Sequence, residues 1–413
     1  MEPSLPIPET RWTRRRSGWR ATWILAPTVL TFLSVYCVSL PADHGEASSV
    51  PPVRVLLRRL EGETSLRFVA TQPIGARTTS GRELLSQDEG RHEVTLEAGR
   101  DTLRLDGQSL EVSQIILSSE APFELGDRHY RGDIMVAVDD GGRLRAVNRI
   151  DLETYLCGVV GSEIPAYSAI ESLKAQAVAA RTYTLWRMAG NSRRSYDLTD
   201  DTYSQVYSGA LDVSDRVVTA VQATRGQVLA YDGKFLPAYY HSTCGGHTSD
   251  QRVGFGSGEA LAPLSGAPCG YCTSSRYYEW TATVPKKTVD EKLGKNGPVR
   301  SIRPLDRDEG GRWWRAEIEG EGWRREVSAN YLRTQLGSNK LRGAIIETLE
   351  IEGDEWVVKG RGWGHGVGMC QVGAMTLGKE KGWSYRQILS HYYPGAVLRE
   401  APSTGSGWRI APE

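Results

Sequence analysis

One glutamate in the sequence has the surroundings of a proton donor. Glu163 lies in the segment GSEIPAY, next to Ile164 and Pro165 and just before a predicted helix. Apolar neighbours disfavour the charged form of a carboxyl group and raise its pKa, which would make Glu163 a usable acid in a reaction. The alternative is a surface carboxylate that complements the dipole at the start of the following helix.

Two cations follow on that predicted helix. Lys174 and Arg181 are two helical turns apart, so their side chains point in the same direction. Contact with Glu163 would lower the pKa of the glutamate. We therefore expect the two cations to bind substrate oxygens or to hold neighbouring acids.

A third candidate is the segment GRGWGHGVGMCQ, residues 360–371, in which every second residue from Gly360 to Gly368 is glycine. Successive side chains of a β-strand point to opposite faces, so the pattern predicts a strand with one bare face and with Trp363 and His365 on the other. A bare face lets a ligand or another chain segment come close. The alternatives are a packing seam, or a glycine-rich hairpin whose Trp363 fills the core.

The cysteines form two closely spaced groups. Cys244 precedes His247 by three residues, and Cys269 precedes Cys272 by three. Two such pairs are typical of a closed tetrahedral zinc site, in which four protein ligands leave no open position and the metal is structural.

The cysteine pattern also leaves alternatives open. In an exported protein the last two cysteines could form a disulfide, or one of them could pair with Cys244. His241 competes with His247 as the histidine ligand, and we prefer His247 for its spacing from Cys244. Cys157 and Cys370 are expected to be buried thiols.

The elements that must position these residues change character along the chain. Short alternating runs separated by turn residues predict a β-rich region over 53–130. A long helix is predicted from a capping box at Ser168 and Glu171 to a stop at Gly190. A polar, β-rich lobe is predicted as an insertion at 280–342. The predicted fold class is α+β, with one long helix at the cleft of a catalytic domain that spans 131–400.

The ends of the chain predict export. Residues 1–20 are strongly basic, and 21–42 are apolar, which is typical of a signal peptide or a single membrane anchor. Residues 43–52 are predicted to be a linker, and 401–413 a flexible tail. The protein is therefore expected to be exported or membrane-anchored in the cell envelope.

Composition limits the possible partners. The 50 basic and 50 acidic side chains cancel, so no overall field attracts nucleic acid, and none is expected as a partner. The 12 tryptophans and 18 tyrosines carry apolar faces with polar edges, which suit carbohydrate surfaces as well as protein cores.

Three ordered motifs resemble the SpoIID/LytB domain family, which is associated with bacterial cell-wall peptidoglycan. They are NRIDLETYLCGVVGSEIPAYSAIESLKAQAVAARTYTL, YYHSTCGGHT and GRGWGHGVGMCQVGAMTLGKEKGWSYRQILSHYYPG, and the resemblance covers about 131–399. SpoIID-like members are lytic transglycosylases that cut glycan strands between N-acetylmuramic acid and N-acetylglucosamine. LytB-type relatives modify the activity of a cell-wall hydrolase, so a non-catalytic wall-binding activator of an amidase is the alternative function.

The resemblance also implies roles for particular residues. Glu163 matches the catalytic acid of the family, and Lys174 and Arg181 match positions important for its activity. In a lytic enzyme the C6 hydroxyl of the substrate attacks the anomeric carbon, so one glutamate suffices and an anhydromuramyl end results. Trp363 and His365 would then line the cleft.

Two further positions follow from the same resemblance. Gln371 is typical of the family and is expected either to hydrogen-bond the substrate or to serve packing. Some SpoIID-like proteins carry zinc near the segment that contains Cys244, which supports a structural zinc ion here. Serine is usual in the family where this chain has Cys370.

Overall fold

The structure is a computed structural model, and it describes residues 50–209, 213–256 and 258–401. The predictions for the basic segment 1–20, the apolar segment 21–42, most of the linker and the tail from 402 onward concern residues outside these ranges. Among the helices of the described residues, none has both the length and the apolar character needed to cross a bilayer.

Residues 53–150 form an all-β region, which confirms the predicted β-rich N-terminal part of an α+β fold. Its strands are β1 (Val53–Leu56), β2 (Ser65–Ala70), β3 (Gly75–Thr78), β4 (Glu83–Leu85), β5 (Glu93–Ala98), β6 (Leu103–Leu105), β7 (Gln108–Ser109), β8 (Gln114–Ser118), β9 (Phe123–Leu125), β10 (Arg128–Tyr130), β11 (Asp133–Val138) and β12 (Leu144–Ile150). Most of these strands alternate buried and exposed residues, as sheets with one face on a core do.

Two sheets divide these strands between them. One runs in the order β10-β9-β2-β5-β6-β7, and the other contains β1-β12-β11-β8-β3-β4. In the second sheet β11 pairs with β8 and β12 pairs with β1, both antiparallel. The sheet therefore crosses residue 130, where the sequence analysis placed a domain boundary.

The middle of the chain is mainly helical. Its elements are α1 (Leu152–Glu163), α2 (Ile170–Gly190), β13 (Leu198–Thr199), α3 (Asp215–Ala223), β14 (Gln227–Tyr231), β15 (Lys234–Phe235), β16 (Tyr240–His241) and α4 (Gln251–Phe255). The sequence analysis did not predict α1, although Asp151 caps it by accepting a hydrogen bond from the Thr154 amide at 3.0 Å.

The predicted long helix is present as α2, but its predicted capping box is wrong. The N-cap residue is Ala169, which offers no side-chain acceptor. The Ser168 hydroxyl instead contacts the Met375 sulfur at 3.1 Å, and the Glu171 carboxylate accepts from Lys174 Nζ at 2.7 Å. A tertiary contact occupies the Ser168 hydroxyl, and an ion pair within α2 occupies the Glu171 carboxylate.

Helix α2 lies between two cores. Leu173 and Ala177 pack into the core shared with the N-terminal strands, whereas Ala175 and Val178 pack into a second core that contains the cysteines. A helix buried on nearly all sides needs small side chains where its neighbours approach closely, which accounts for its many alanines.

The inserted lobe has a core of its own, built around Trp280, Trp313 and Trp356. Its elements are β17 (Glu279–Pro285), α5 (Lys286–Leu293), β18 (Val299–Pro304), β19 (Arg315–Gly320), β20 (Trp323–Ser328), α6 (Ala329–Leu336), β21 (Ile345–Glu352) and β22 (Glu355–Arg361). The strand orders are β17-β22-β21 and β18-β19-β20. The lobe thus includes β21 and β22, which lie beyond residue 342.

The chain returns from the lobe to the second core through a glycine-rich loop. The remaining elements are β23 (Met369–Cys370), α7 (Gln371–Glu380), α8 (Tyr385–Tyr392) and β24 (Val397–Glu400). Strand β16 pairs with β23 in parallel, which sets Tyr240 beside Met369 and His241 beside Cys370. This short ladder brings two of the three family-like motifs together.

The strand predicted over residues 360–368 is wrong. Strand β22 ends at Arg361, and beyond it Gly362, Gly364, Gly366 and Gly368 have φ values of 78°, 114°, 84° and 69°. A β-strand requires negative φ, and positive φ is the region in which glycine is favoured. The alternation therefore encodes a loop with repeated left-handed turns of the backbone.

Close packing against the chain itself explains the bare positions. A Cβ at Gly366 would collide with the guanidinium of Arg312, and one at Gly364 would lie 2.8 Å from the Cβ of His241. Of the interpretations considered for this segment, the packing seam fits these two positions.

Candidate active site and cysteine cluster

A cleft of about 300 Å³ lies where four parts of the fold meet. The end of α1, the loop that follows β13, the β16–β23 ladder with the glycine-rich loop, and the inserted lobe all contribute. The lining residues are Glu163, Thr202, Ser204, Val206, Tyr240, His241, Ser242, Arg333, Ser338, Trp363, Gly364, His365 and Gln371. Within the described chain, this lining set contains one carboxylate and one guanidinium.

Glu163 is the carboxylate of this cleft, and it is the last residue of α1. The sequence analysis had placed it just before the next helix and had predicted no helix ending there. Its Oε1 accepts a hydrogen bond from the Val206 amide at 2.8 Å, and its Oε2 accepts one from Gln371 Nε2 at 3.1 Å. Burial raises the pKa of Glu163 above its ordinary value, and these two hydrogen bonds oppose that shift.

The position of the carboxylate at the end of α1 also favours its protonated form. The C-terminal end of a helix carries partial negative charge, which disfavours an anion there. Tyr240 lies beside Glu163 and opposes the rise in the pKa of the carboxyl. Burial, followed by the charge of Glu163, holds the pKa of the Tyr240 phenol well above its ordinary value. Tyr240 therefore remains a neutral hydroxyl.

The three residues predicted to bind substrate all line the cleft. Trp363 packs edge-on against Tyr277, with ring centroids 4.0 Å apart. Gln371 is held between Glu163 and the Gln176 side chain of α2, at 3.1 and 3.5 Å. Helix α2 thus lies behind the cleft, and its Gln176 contacts the lining residue Gln371.

Two histidines, the buried His241 and the partly buried His365, line the cleft in their neutral forms. Burial lowers the pKa of His241 to about 3, and burial also holds the pKa of His365 well below its ordinary value. His241 Nδ1 lies 3.1 Å from the Val367 carbonyl, to which it donates, and His365 Nδ1 accepts from the Val367 amide at 3.1 Å. Neither ring serves as an acid near neutral pH.

The cysteines gather in the second core, and the fourth member differs from the prediction. The sulfur atoms of Cys244, Cys269, Cys272 and Cys370 all lie within 4.8 Å of one another, and all four residues are buried. His247 is not in this group, and its Nδ1 contacts the Thr248 carbonyl at 2.5 Å. The structure therefore brings Cys370, and not the predicted His247, to the other three cysteines.

The sulfur cluster has the chemistry of a metal site. The Cys244 and Cys272 sulfurs are 3.4 Å apart. Tetrahedral zinc–thiolate bonds of about 2.3 Å would place sulfurs about 3.8 Å apart. The Cys244 amide donates to Cys370 Sγ at 3.3 Å, and the Gly373 amide donates to the same sulfur at 3.4 Å.

A buried arginine adds positive charge beside the cluster. Arg312 is 1% exposed, donates from Nη2 to the Cys244 carbonyl at 3.1 Å, and has no hydrogen-bond partner for Nε or Nη1 within the described chain. Burial raises the pKa of the Cys370 thiol, so a thiolate there requires a nearby cation. The four cysteines could hold a metal ion.

Comparison with known proteins places the chain in a family. A family model described as SpoIID, stage II sporulation protein, matches residues 140–231. The stage II sporulation protein D of Bacillus amyloliquefaciens is 33% identical over 62% of this chain and 77% of its own length. The chain belongs to the SpoIID/LytB family. An uncharacterised protein of Brachyspira hyodysenteriae is 30% identical over 69% of this chain and 76% of its own length.

Two further matches concern another relative and the inserted lobe. The amidase enhancer of Bacillus subtilis is 26% identical over 76% of this chain and 51% of its own length. A second family model, described as a domain of unknown function (DUF8618), matches residues 270–368. That range contains the inserted lobe and most of the glycine-rich loop, so this SpoIID/LytB protein carries a recognisable unit inside its cleft-forming domain.

The two helix cations that match SpoIID motif positions do not line the cleft. Lys174 Nζ binds Glu171 at 2.7 Å. Arg181 is fully buried and donates two hydrogen bonds to Glu153 of α1, from Nε to Oε1 at 2.9 Å and from Nη2 to Oε2 at 2.6 Å. Of the two roles expected for them, these contacts match the holding of neighbouring acids.

The cation that does line the cleft was missed by the sequence analysis. Arg333 lies on α6 in the inserted lobe, outside the three motifs that resemble the family. The lobe contains many arginines, and neither composition nor spacing distinguishes this one. Only the packing of the lobe against the glycine-rich loop brings it into the cleft.

Proposed function

We propose that this protein is a peptidoglycan lytic transglycosylase that cleaves between N-acetylmuramic acid and N-acetylglucosamine and leaves 1,6-anhydromuramyl ends. Membership of the SpoIID/LytB family supports a role at the bacterial cell wall. The observation that carries the proposal is Glu163, a carboxylate with a raised pKa that stands alone among the acids lining the cleft within the described chain.

The single carboxylate favours a lytic reaction over hydrolysis. Hydrolytic glycosidases commonly use two carboxylates, one as the acid and the other as the base or nucleophile. With one carboxylate, the nucleophile can come from the substrate as the C6 hydroxyl of the muramyl residue. The bond from the anomeric carbon to the leaving oxygen breaks, and a bond to O6 forms.

Glu163 would carry the proton through both halves of this exchange. Protonated Glu163 gives its proton to the leaving glycosidic oxygen, and the resulting carboxylate accepts the proton of the attacking C6 hydroxyl. The Val206 amide and the Gln371 amide stabilise the carboxylate between these steps. Tyr240 and the two neutral histidines add no competing acid.

Other residues hold the acid in place. Arg181 fixes Glu153 near the start of α1, and Glu163 ends the same helix. Lys174 binds Glu171 at the start of α2, and Glu171 also accepts a hydrogen bond from the Tyr385 amide at 2.8 Å. We assign Arg181 and Lys174 as positioning residues, and Trp363, His365 and Gln371 as cleft residues for substrate.

The cysteine cluster is proposed to hold a structural zinc ion. Four thiolates would complete a tetrahedral shell and leave no position for water, so the ion would not activate a nucleophile. It would join three separate segments, because Cys244 follows β16, Cys269 and Cys272 lie in the loop before β17, and Cys370 caps α7.

The alternative function is a non-catalytic wall-binding protein that activates an amidase. The similarity to the amidase enhancer of Bacillus subtilis favours it. An amidase is then a proposed partner beside peptidoglycan glycan strands. Both functions require export to the cell envelope, and we propose the N-terminal segment as the export signal or membrane anchor.

Digestion of purified glycan strands tests these functions against each other. The wild-type protein is expected to release fragments whose anhydro ends mass spectrometry detects, and Glu163→Gln is expected to release none. Glu350→Gln, which changes an exposed carboxylate of the lobe, is the matched control and should behave as wild type. Reducing ends formed with water would contradict the proposal, and faster amidase digestion without glycan cleavage would support the alternative.

A further inference from the structure

The cleft contains a cation for which the proposed reaction has no use. Arg333 is partly buried, and its Nε donates to the Arg342 carbonyl at 3.2 Å. In the chain as described, no carboxylate lies within ion-pair distance of this guanidinium. A guanidinium has five N–H donors, so four of them remain available for another group.

Leaving such a cation unpaired away from water is unfavourable. Burial, followed by the neighbouring charge of Arg312, lowers the pKa of Arg333 to about 10, so the side chain is still charged near neutral pH. Glu163 is the single acid of the lining set described above. The cleft therefore has an excess of positive charge whenever Glu163 is protonated.

The two cations of the family-like motif are not available for the same task. Lys174 and Arg181 are each occupied by a glutamate outside the cleft. Any anionic group of a ligand in the cleft would therefore find its partner on the inserted lobe. Arginine suits such a partner because its planar fork can bind both oxygens of a carboxylate at once.

We propose that Arg333 forms an anion subsite beside Glu163 that binds a carboxylate of the glycan substrate. This inference rests on the proposed glycan substrate. The sugar rings themselves are uncharged, so the carboxylate is either the lactyl group of N-acetylmuramic acid without a stem peptide or an acid of an attached stem peptide. The subsite assigns a role in substrate selection to the inserted lobe.

Binding measurements in a Glu163→Gln background test the subsite without cleavage. Three tetrasaccharides of alternating N-acetylglucosamine and N-acetylmuramic acid serve as probes. They carry free lactyl carboxylates, lactyl methylamides or intact stem peptides, and calorimetry gives the Kd of each. Arg333→Gln removes the charge, Arg333→Lys retains it, and Arg324→Gln removes an exposed charge of the same lobe as the matched control.

Arg333→Gln is expected to weaken binding of a carboxylate probe by about 10- to 100-fold and to leave the methylamide probe unchanged. Arg333→Lys should restore part of the affinity, and Arg324→Gln should change none. A loss confined to the free lactyl probe identifies the lactyl group, and a loss confined to the peptide probe identifies the stem peptide.

Two results would overturn the subsite. Equal losses on all three probes would mean that Arg333 only supports the fold, and unchanged affinity for every probe would mean that it does not contact substrate. Neither result depends on whether the wild-type protein cleaves glycan, so the subsite and the proposed reaction can fail separately. Thermal unfolding of each variant identifies any loss caused by misfolding.

Discussion

The buried ion pair between Arg181 and Glu153 gives a direct test of what a SpoIID motif cation does. Arg181 has no exposed side-chain surface, and 15% of the Glu153 side chain is exposed. Besides its two bonds to Glu153, Arg181 donates to the carbonyls of Gln227 and Val221, each at 3.2 Å. The pair therefore joins α1, α2 and α3 to the start of β14.

The loss in free energy of unfolding depends on which charge each substitution leaves unpaired. Breaking a buried pair from one side costs about 3–5 kcal/mol, because the remaining charge is unpaired. Arg181→Met leaves Glu153 unpaired, but Glu153 can recover some hydration, so we expect the free energy of unfolding to fall by about 3 kcal/mol. Glu153→Leu leaves a fully buried guanidinium unpaired, so we expect the free energy of unfolding to fall by about 5 kcal/mol. The double variant should recover most of either loss, since apolar replacements of similar volume can substitute for such a pair.

Urea denaturation measures these free energies of unfolding, and release of anhydro ends measures activity. If Arg181 only positions α1 and hence Glu163, the double variant should regain activity together with stability. A double variant that folds as stably as wild type but stays inactive would refute this role and would place Arg181 in contact with substrate. Glu61→Leu, which breaks the exposed pair of Glu61 with Arg58, is the control and should cost under about 1 kcal/mol.

Two further predictions concern the acid and the cysteine cluster. Burial raises the pKa of Glu163 in the folded chain above its value in the unfolded chain. The folded state therefore loses stability as the pH rises from the unfolded pKa to the folded pKa. The loss is about 1.4 kcal/mol for each unit between the two pKa values. Glu163→Gln should therefore unfold at higher urea than wild type at pH 7.5, with the difference closing as the pH falls toward 4; a constant difference would contradict the raised pKa. Cys370→Ser should lose bound metal, measured by elemental analysis, and melt at lower temperature, whereas His247→Ala should keep both properties; the reverse pattern would restore His247 as the ligand.

The glycine-rich segment shows why period alone misled the sequence analysis. Alternation of glycine with larger residues fits a strand, but it equally fits a loop that needs positive φ at every second residue. The choice depends on what approaches the backbone. Here Arg312 from the inserted lobe and His241 from β16 occupy the space beside Gly366 and Gly364.

The fourth member of the cysteine cluster was missed for a related reason. Spacing along the chain brought Cys244, Cys269 and Cys272 into one predicted group, and the structure places these three sulfurs together. Cys370 comes from a segment about a hundred residues later, and the parallel ladder of β16 with β23 brings it beside His241. No local spacing distinguishes such a ligand from an ordinary buried thiol.

The sequence by itself determined the family, the β-rich start, the long helix and the identity of Glu163 as the candidate acid, because these depend on local patterns and ordered motifs. Tertiary structure alone decided that Glu163 ends a helix, that Lys174 and Arg181 bind acids, that Cys370 completes the sulfur cluster and that Arg333 enters the cleft. The physical reason is the same in each case. Burial and charge pairing depend on long-range packing, and residues distant in the chain become neighbours only after the lobe, the helices and the glycine-rich loop have packed together.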